Sequence, residues 1–418
     1  MGVPAVTLSL ARRAAHFPDR TAVVDISEAR LYAPAETIDE DRVTYEGLST
    51  IATRTAERLS TRGVVPGDTV CLVTRNRVAS LALFFACRRL GATFAPISHL
   101  LTPASVDRPL GVLEPALVVG EAAQRDLLRS IPFDRLVTLE ELTETERDSV
   151  DLESGRPNAN PLLALHGESG RPVAGYSADA IERNCATAVV AWGLAANDTV
   201  PLTMPLSTAG GLVRVALSTL YVGGTLLLDR AFDPGDAAAA MAAEDATFLA
   251  GRETAIRDIA AETEFADAAA SLERVVCEGA VADDIVAPYR ECDVSVARAY
   301  GRLECPTALS QGFDGDRDGS SDEEPSVGRP VPDCRVRLVD EAGEVLEDVA
   351  VGRLQLSGSV VADGHVTVAG TDDENWDEPA GLERAADDAA DDRGRFVDGW
   401  FDTGERFRRD EDGHYYPR

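Results

Sequence analysis

The sequence predicts an α/β protein in which two sheet-and-helix subdomains precede a small, β-barrel-like lobe. Three observations predict it. Residues 43–98 alternate segments of helical period with short β-branched runs, the order of a parallel sheet covered by helices. A second alternation of the same kind follows residue 160. From Ser326 onward only short strand-like runs recur. The expected divisions are 1–155, 156–325 and 326–418, with an acidic insertion over 371–395 in the last.

The elements follow in order. Tyr45 to Arg62 has helical spacing, with Leu48, Ile51, Ala52, Ala56 and Leu59 on one face. Pro66-Gly67-Asp68 is a turn, and Val70 to Val73 is a strand. Ser80 to Leu90 is an apolar helix closed by Gly91, and Thr93 to Ile97 is the next strand. Leu117 to Val119 and Leu136 to Leu139 are further short strands, and 140–160 is a polar connection. The second stretch holds a strand at Leu162 to Leu165 and a helix over Ala178 to Trp192. A helix around Leu212 to Tyr221 and strands at Thr225 to Leu228, Phe248 to Ala250 and Arg274 to Cys277 complete it. The lobe contributes Arg335 to Val339, Gly352 to Leu356 and Gly399 to Asp402.

Composition bounds the function. All 40 basic residues are arginine, against 72 Asp and Glu, for a net charge of -32. So acidic a surface repels nucleic acid and anionic lipid. Disorder is the other source of high charge, but 44% hydrophobic content predicts a folded chain. Adaptation to a salt-rich cytoplasm and codon bias toward arginine both account for the missing lysine. Seven scattered cysteines without a CxxC pair predict reduced thiols, not a disulfide framework or zinc site. Proline, arginine and glycines interrupt the apolar run Leu202 to Leu228, so it is expected as a buried core element and not a membrane span. No signal-peptide pattern opens the sequence, and a cytoplasmic location is expected.

Four local patterns occur in a fixed order. They are Thr44-Tyr45-Glu46-Gly47-Leu48, Tyr300-Gly301-Arg302-Leu303-Glu304, Ser326-Val327-Gly328-Arg329-Pro330 and Gly399-Trp400-Phe401-Asp402-Thr403-Gly404-Glu405. Together they resemble the large N-terminal domain of the adenylate-forming superfamily: acyl- and aryl-CoA synthetases, peptide-synthetase adenylation domains and luciferases. The resemblance runs from about residue 8 to 418. It implies activation of a small carboxylic acid by ATP with Mg²⁺, release of pyrophosphate, and transfer to a thiol, with coenzyme A the usual acceptor. It also implies a mobile C-terminal domain beyond Arg418; without it, the activity is expected to be impaired or to need a separate polypeptide that supplies that domain.

Carried over residue by residue, the resemblance places Tyr300 and Gly301 beside adenine, with Gly279 and Ala280 in a weaker Gly-Gly-Ala-like match. Glu304 is the implied magnesium carboxylate and catalytic residue, although Leu303 replaces the threonine before it. Glu405 stands where the family has a ribose-binding aspartate. Without the motifs, Tyr300 is equally an ordinary core tyrosine and both glutamates are solvated carboxylates.

The phosphate loop departs from the pattern. His166-Gly167-Glu168-Ser169-Gly170-Arg171-Pro172-Val173 keeps the turn residues, with Gly167, Ser169 and Gly170 as the implied phosphate contacts. Glu168 brings a negative charge to the phosphate, costing about 4 kcal/mol at contact with an effective dielectric of about 20. Val173 replaces the lysine, and Arg171 and His166 are the nearest cationic substitutes. A structural strand-to-helix turn without phosphate is the competing expectation. Ser207 and Thr208 replace the aromatic and histidine that gate the acyl pocket in many CoA ligases, and with Gly210 and Gly211 they are its expected lining. A plain glycine-containing turn is the alternative.

Other patterns carry less. Asp314 to Gly319 imitates an EF-hand start, but position twelve would be Pro325. His16, His99, His365 and His414 are isolated and take no ligand role, and Cys305 has no identifiable base. The expected function is a divergent AMP-forming acyl- or aryl-CoA-ligase homologue. The alternative is a non-catalytic protein binding a nucleotide, an acyl ligand or a partner subunit.

Overall fold

The computed structural model describes residues 8–27, 41–131, 133–146, 161–313, 325–367 and 395–418. The EF-hand-like stretch, most of the 140–160 connection and the acidic insertion short of Arg395 lie outside the described residues. Arg395 itself begins a strand, Arg395–Val397.

Four sheets organise the described residues. The largest has seven strands in the order Gly364–His365, Val173–Tyr176, Leu163–His166, Thr93–Ser98, Thr69–Thr74, Leu117–Gly120 and Leu136–Thr138. From Leu163–His166 to Leu136–Thr138 the pairing is parallel, while Val173–Tyr176 pairs antiparallel with Leu163–His166 and Gly364–His365 antiparallel with Val173–Tyr176. The reason lies in the crossovers. Helix Val78–Leu90 is apolar all round, is buried along nearly its whole length, and ends at left-handed Gly91. It returns the chain to the same sheet edge, which makes its flanking strands parallel. Helix Tyr45–Thr61, capped by Thr44, buries the expected face of Leu48, Ile51, Ala52, Ala56 and Leu59.

A four-stranded sheet has the order Arg42–Thr44, Thr21–Asp25, Thr225–Leu228, Thr199–Pro201, and a five-stranded one begins Phe248–Arg252, Arg274–Glu278, Ser295–Tyr300. An isolated parallel bridge from Leu202 to Ala250 links the two. The last sheet has six strands, all between residues 335 and 417, and forms the predicted lobe.

Sheets and chain order part company at residue 155. Leu163–His166 joins the first stretch's sheet, and Thr225–Leu228 pairs with Thr21–Asp25. Thr21–Asp25 is buried along almost its full length, so downstream chain must cover its edge.

Local differences have local causes. The strand at Leu136 stops at Thr138, which forms a capping box with Glu141 and starts a helix at Leu139. The apolar run from Leu202 to Leu228 contains the expected helix and strand, preceded by a loop. Its helix begins earlier than expected, and Ala209–Leu217 is wound as a π-helix before Ser218–Val222 continues as α. The final motif forms one long strand, Trp400–Arg409, that carries Glu405.

Candidate nucleotide and acyl site

Strands Phe248–Arg252, Arg274–Glu278 and Ser295–Tyr300 are parallel and in register, with Arg252 opposite Glu278 and Glu278 opposite Ala299. Their carboxyl ends therefore bring Arg252, Glu278 and Tyr300 to one edge, where open α/β sheets bind ligands. Gly279 follows directly, its N–H donating to the Ala299 carbonyl at 2.8 Å.

Tyr300 and Glu405 meet directly. The Tyr300 hydroxyl donates to Glu405 Oε2, and its ring meets Phe407 edge-on at 4.9 Å. Burial, then the Glu405 charge, pushes the phenol well above its ordinary range. Arg302 donates to Glu405 Oε1, so both carboxylate oxygens already accept from this chain. Burial opposes the charge on Arg302, but Tyr300, Glu405 and Glu304 together hold its pKa up.

Glu304 is not a solvated carboxylate; it is 2% exposed. His365 Nε2 lies 2.8 Å from its Oε1, and the Glu304 carbonyl accepts from Ala362 N–H at 2.7 Å. His365 sits on Gly364–His365, the edge strand paired with Val173–Tyr176, with its ring edge-on to Phe396 and Phe401. Isolated in sequence, this histidine is the carboxylate's partner in the fold.

The phosphate segment is a β-hairpin between Leu163–His166 and Val173–Tyr176, not a strand-to-helix turn. The Gly167 N–H donates to the Pro172 carbonyl and the Gly170 N–H to the Gly167 carbonyl, both at 2.9 Å. Those two amides are thus spent on closing the turn. Ser169 Oγ donates to the Arg171 carbonyl at 3.2 Å. His166 is no substitute cation. Its Nε2 accepts from Ser98 N–H at 3.0 Å and its Nδ1 faces the Gly167 carbonyl at 2.7 Å, while burial lowers its pKa. That arrangement suits the neutral ring protonated at Nδ1. Among the described residues, Arg171 Nε reaches only the Arg108 carbonyl, at 3.4 Å. The cation facing Glu168 is Arg252, at 3.4 Å. Val173 points into the core.

In the acyl segment Thr208 caps the π-helix, its Oγ1 accepting from Gly211 N–H at 3.0 Å. A Cβ at Gly211 would collide with the Pro205 carbonyl, so the close turn requires glycine there. Asn76 Oδ1 accepts from Leu206 N–H at 2.8 Å, tying this segment to the turn at residues 74–77. That turn is held in turn by Glu121, which takes Arg77 at 2.6 Å and the Thr74 hydroxyl at 2.8 Å. Ser207 lines a small recess beside Asn76, Ser80 and His99.

One turn past Gly210, buried Arg214 donates from Nη1 to Glu278 Oε2 at 2.8 Å and from Nε to the Pro306 carbonyl at 2.9 Å. A Cβ at Gly301 would strike both Pro306 and this guanidinium. Sequence reasoning passed over Arg214, Arg302, Arg252 and His365. A charge inside an apolar run was the available signal for Arg214, and a position inside the Tyr300–Glu304 motif was the signal for Arg302.

The α/β body, the lobe and this edge define an AMP-binding enzyme, and residues 10–168 and 174–366 match that family's model: the chain belongs to the AMP-binding enzyme family. The match breaks within the hairpin. The chain is 29% identical over 380 residues to the feruloyl-CoA synthase of an Amycolatopsis species, covering 90% of this chain and 72% of that protein. It is 26% identical over 398 residues to the indoleacetate–CoA ligase of Aromatoleum aromaticum, covering 90% and 73%. ATP-bound MatB from Rhodopseudomonas palustris superposes with a TM-score of 0.78 at 22% identity, covering 99% of this chain and 78% of that one. O-succinylbenzoate coenzyme A synthetase (MenE) of Bacillus subtilis, in complex with ATP and magnesium ion, gives 0.78 at 17%, covering 98% and 78%. Among the described residues no helix is long and apolar enough to cross a membrane.

Proposed function

We propose that this chain is a divergent acid-activating domain that holds the adenosine of ATP or AMP beside a small carboxylic acid and joins them slowly. The observation that carries the reading is the convergence of Tyr300, Arg302 and Glu405, supplied by two distant segments, at the carboxyl edge of a parallel sheet. Tyr300, Gly301, Gly279 and Ala280 form the adenine side, and Glu405 accepts the ribose hydroxyls after exchanging its internal donors. In the step itself a carboxylate oxygen of the acid bonds to the α-phosphorus. The bond to the bridging oxygen breaks, and pyrophosphate leaves with that electron pair. Ser169 and Arg252 face the departing phosphates. Glu304 suits Mg²⁺ by donor type, since magnesium takes one or two carboxylates and completes its shell with phosphate and water. The ion when bound neutralises phosphate charge. Coenzyme A is the thiol that the similar ligases' names suggest.

A second reading, nucleotide binding without catalysis, draws on two observations. His365 already occupies Glu304, and the hairpin carries the Glu168 carboxylate, which faces Arg252 and would repel a phosphate. ATP–pyrophosphate exchange with a panel of carboxylic acids in high-salt buffer separates the two. Exchange that disappears in Glu304→Gln supports acid activation. AMP binding without exchange supports the second reading, and absence of both ends the first.

A further inference from the structure

We infer that the Arg214–Glu278 ion pair floors the acyl pocket and selects an acid carrying a hydrogen-bond donor, a hydroxyl or an amino group, at its far end. The inference rests on the reading of Ser207, Thr208, Gly210 and Gly211 as that pocket's lining.

Placement comes first. Arg214 lies on the π-helix that starts at the acyl segment, and Glu278 immediately precedes Gly279. A Cβ built on Gly210 would come within 3.5 Å of Glu278 Oε2, and one on Gly301 would touch Arg214 Nη2. The pair therefore stands between the acyl and adenine segments, where the tail of a bound acid must pass.

The two partners are not equivalent. The Arg214 side chain is 3% exposed and Glu278 is 23% exposed. Every guanidinium nitrogen of Arg214 already donates: Nη1 to Glu278, Nε to the Pro306 carbonyl and Thr307 Oγ1, and Nη2 to Pro306. Arg214 has its acceptors and does not seek a second carboxylate. Among the described residues, Arg214 is the one hydrogen-bond partner of the Glu278 carboxylate, and it engages Oε2. The group presented to a ligand is thus the Oε1 acceptor of the Glu278 carboxylate, the oxygen that Arg214 leaves open.

Chemistry then sorts the acids. A purely apolar tail strips water from Oε1 and returns nothing. A second carboxylate meets like charge. A hydroxyl or amino group replaces the lost water with a charge-assisted hydrogen bond.

The test is a binding panel with wild-type protein, by calorimetry, with and without AMP. The acids are 4-hydroxycinnamate, 4-aminocinnamate, cinnamate, 4-methoxycinnamate and octanoate. The two donors are expected to bind at least about tenfold more tightly than the other three, because a site built around an unpaired acceptor rejects analogues that lack the donor. Glu278→Gln, with its fold checked by circular dichroism, should narrow that gap to within about threefold, since a neutral amide oxygen is the weaker acceptor. Equal affinity for 4-hydroxycinnamate and cinnamate overturns the inference, as does a gap that survives in Glu278→Gln or failure of all five acids to bind. AMP titrated alone reports separately on the nucleotide reading: its failure leaves the acid ranking intact as a measure of the ion pair.

Discussion

Replacing Arg77 with Met should destabilise the protein by about 3–5 kcal/mol, the cost of leaving a buried charge unpaired. Arg77 and Glu121 are each 3% exposed at the side chain and lie 2.6 Å apart, so water cannot take over from the missing guanidinium. In the variant, Glu121 keeps the Thr74 hydroxyl and a backbone hydrogen bond from Arg75 but loses its counter-charge. Methionine fills most of the space, so the loss is chiefly electrostatic. The double variant Arg77→Met, Glu121→Gln should recover most of it, because removing both charges removes the penalty with the pair. Urea unfolding at fixed high salt gives both numbers, and the pH series fixes their origin. Burial works against the Glu121 charge, but Arg77 and Thr74 outweigh it and hold the carboxyl below its usual value. A depressed folded pKa stabilises above the unfolded pKa of about 4.3 and loses that contribution as pH falls through the folded value. Without Arg77 burial raises the same carboxyl, so the wild-type advantage over Arg77→Met should shrink as pH falls, first as Glu121 protonates in the variant and then as it protonates in the wild type. A loss under about 1 kcal/mol at neutral pH, or one that does not shrink in acid, would refute the reasoning. Because Asn76 in the same turn holds Leu206, acid binding should weaken in this variant as well.

Other outcomes can be read directly. Tyr300→Ala should weaken AMP binding at least about tenfold while Tyr300→Phe, which keeps the ring, stays within about threefold; fluorescence titration decides. Glu168→Ser should raise affinity for ATP about tenfold and leave AMP nearly unchanged, a discounted value because Glu168 is 90% exposed and already faces Arg252. Thr208→Ala removes the π-helix cap and should cost about 1 kcal/mol in urea unfolding. Of seven cysteines Cys292 alone is exposed, and burial pushes the Cys185 and Cys277 thiols up to about 12. A thiol reagent should titrate one group in the native protein and all of them after unfolding.

The legible part of the fold was the part governed by local periodicity. Tyr45–Thr61 and Ala178–Trp192 announce themselves by apolar spacing, Ser or Thr caps and glycine or tight C-termini. Thr21–Asp25 did not, because a short buried strand gains its identity only from its neighbours, here Arg42–Thr44 and Thr225–Leu228. The phosphate segment was misjudged for a similar reason. Val173–Tyr176 is four residues long, and only its pairing with Leu163–His166 turns the loop into a hairpin. In the site, Tyr300 and Glu405 could be paired through motifs. His365 could not, since its partner Glu304 is brought to it by a two-residue edge strand with no sequence signature. Arg302 and Arg214 were visible as letters, but their meaning depends on acceptors contributed from elsewhere.

Strand Trp400–Arg409 belongs to the lobe by its backbone pairing, yet it places one carboxylate against a tyrosine of the sheet body. A small molecule seated on that tyrosine would act as a rivet between the two parts. By mass action, saturation at about a hundred times the dissociation constant is worth about 2.7 kcal/mol against unfolding. Part of that gain would appear as slower proteolysis of the lobe, many residues away in sequence from the ring that the molecule covers.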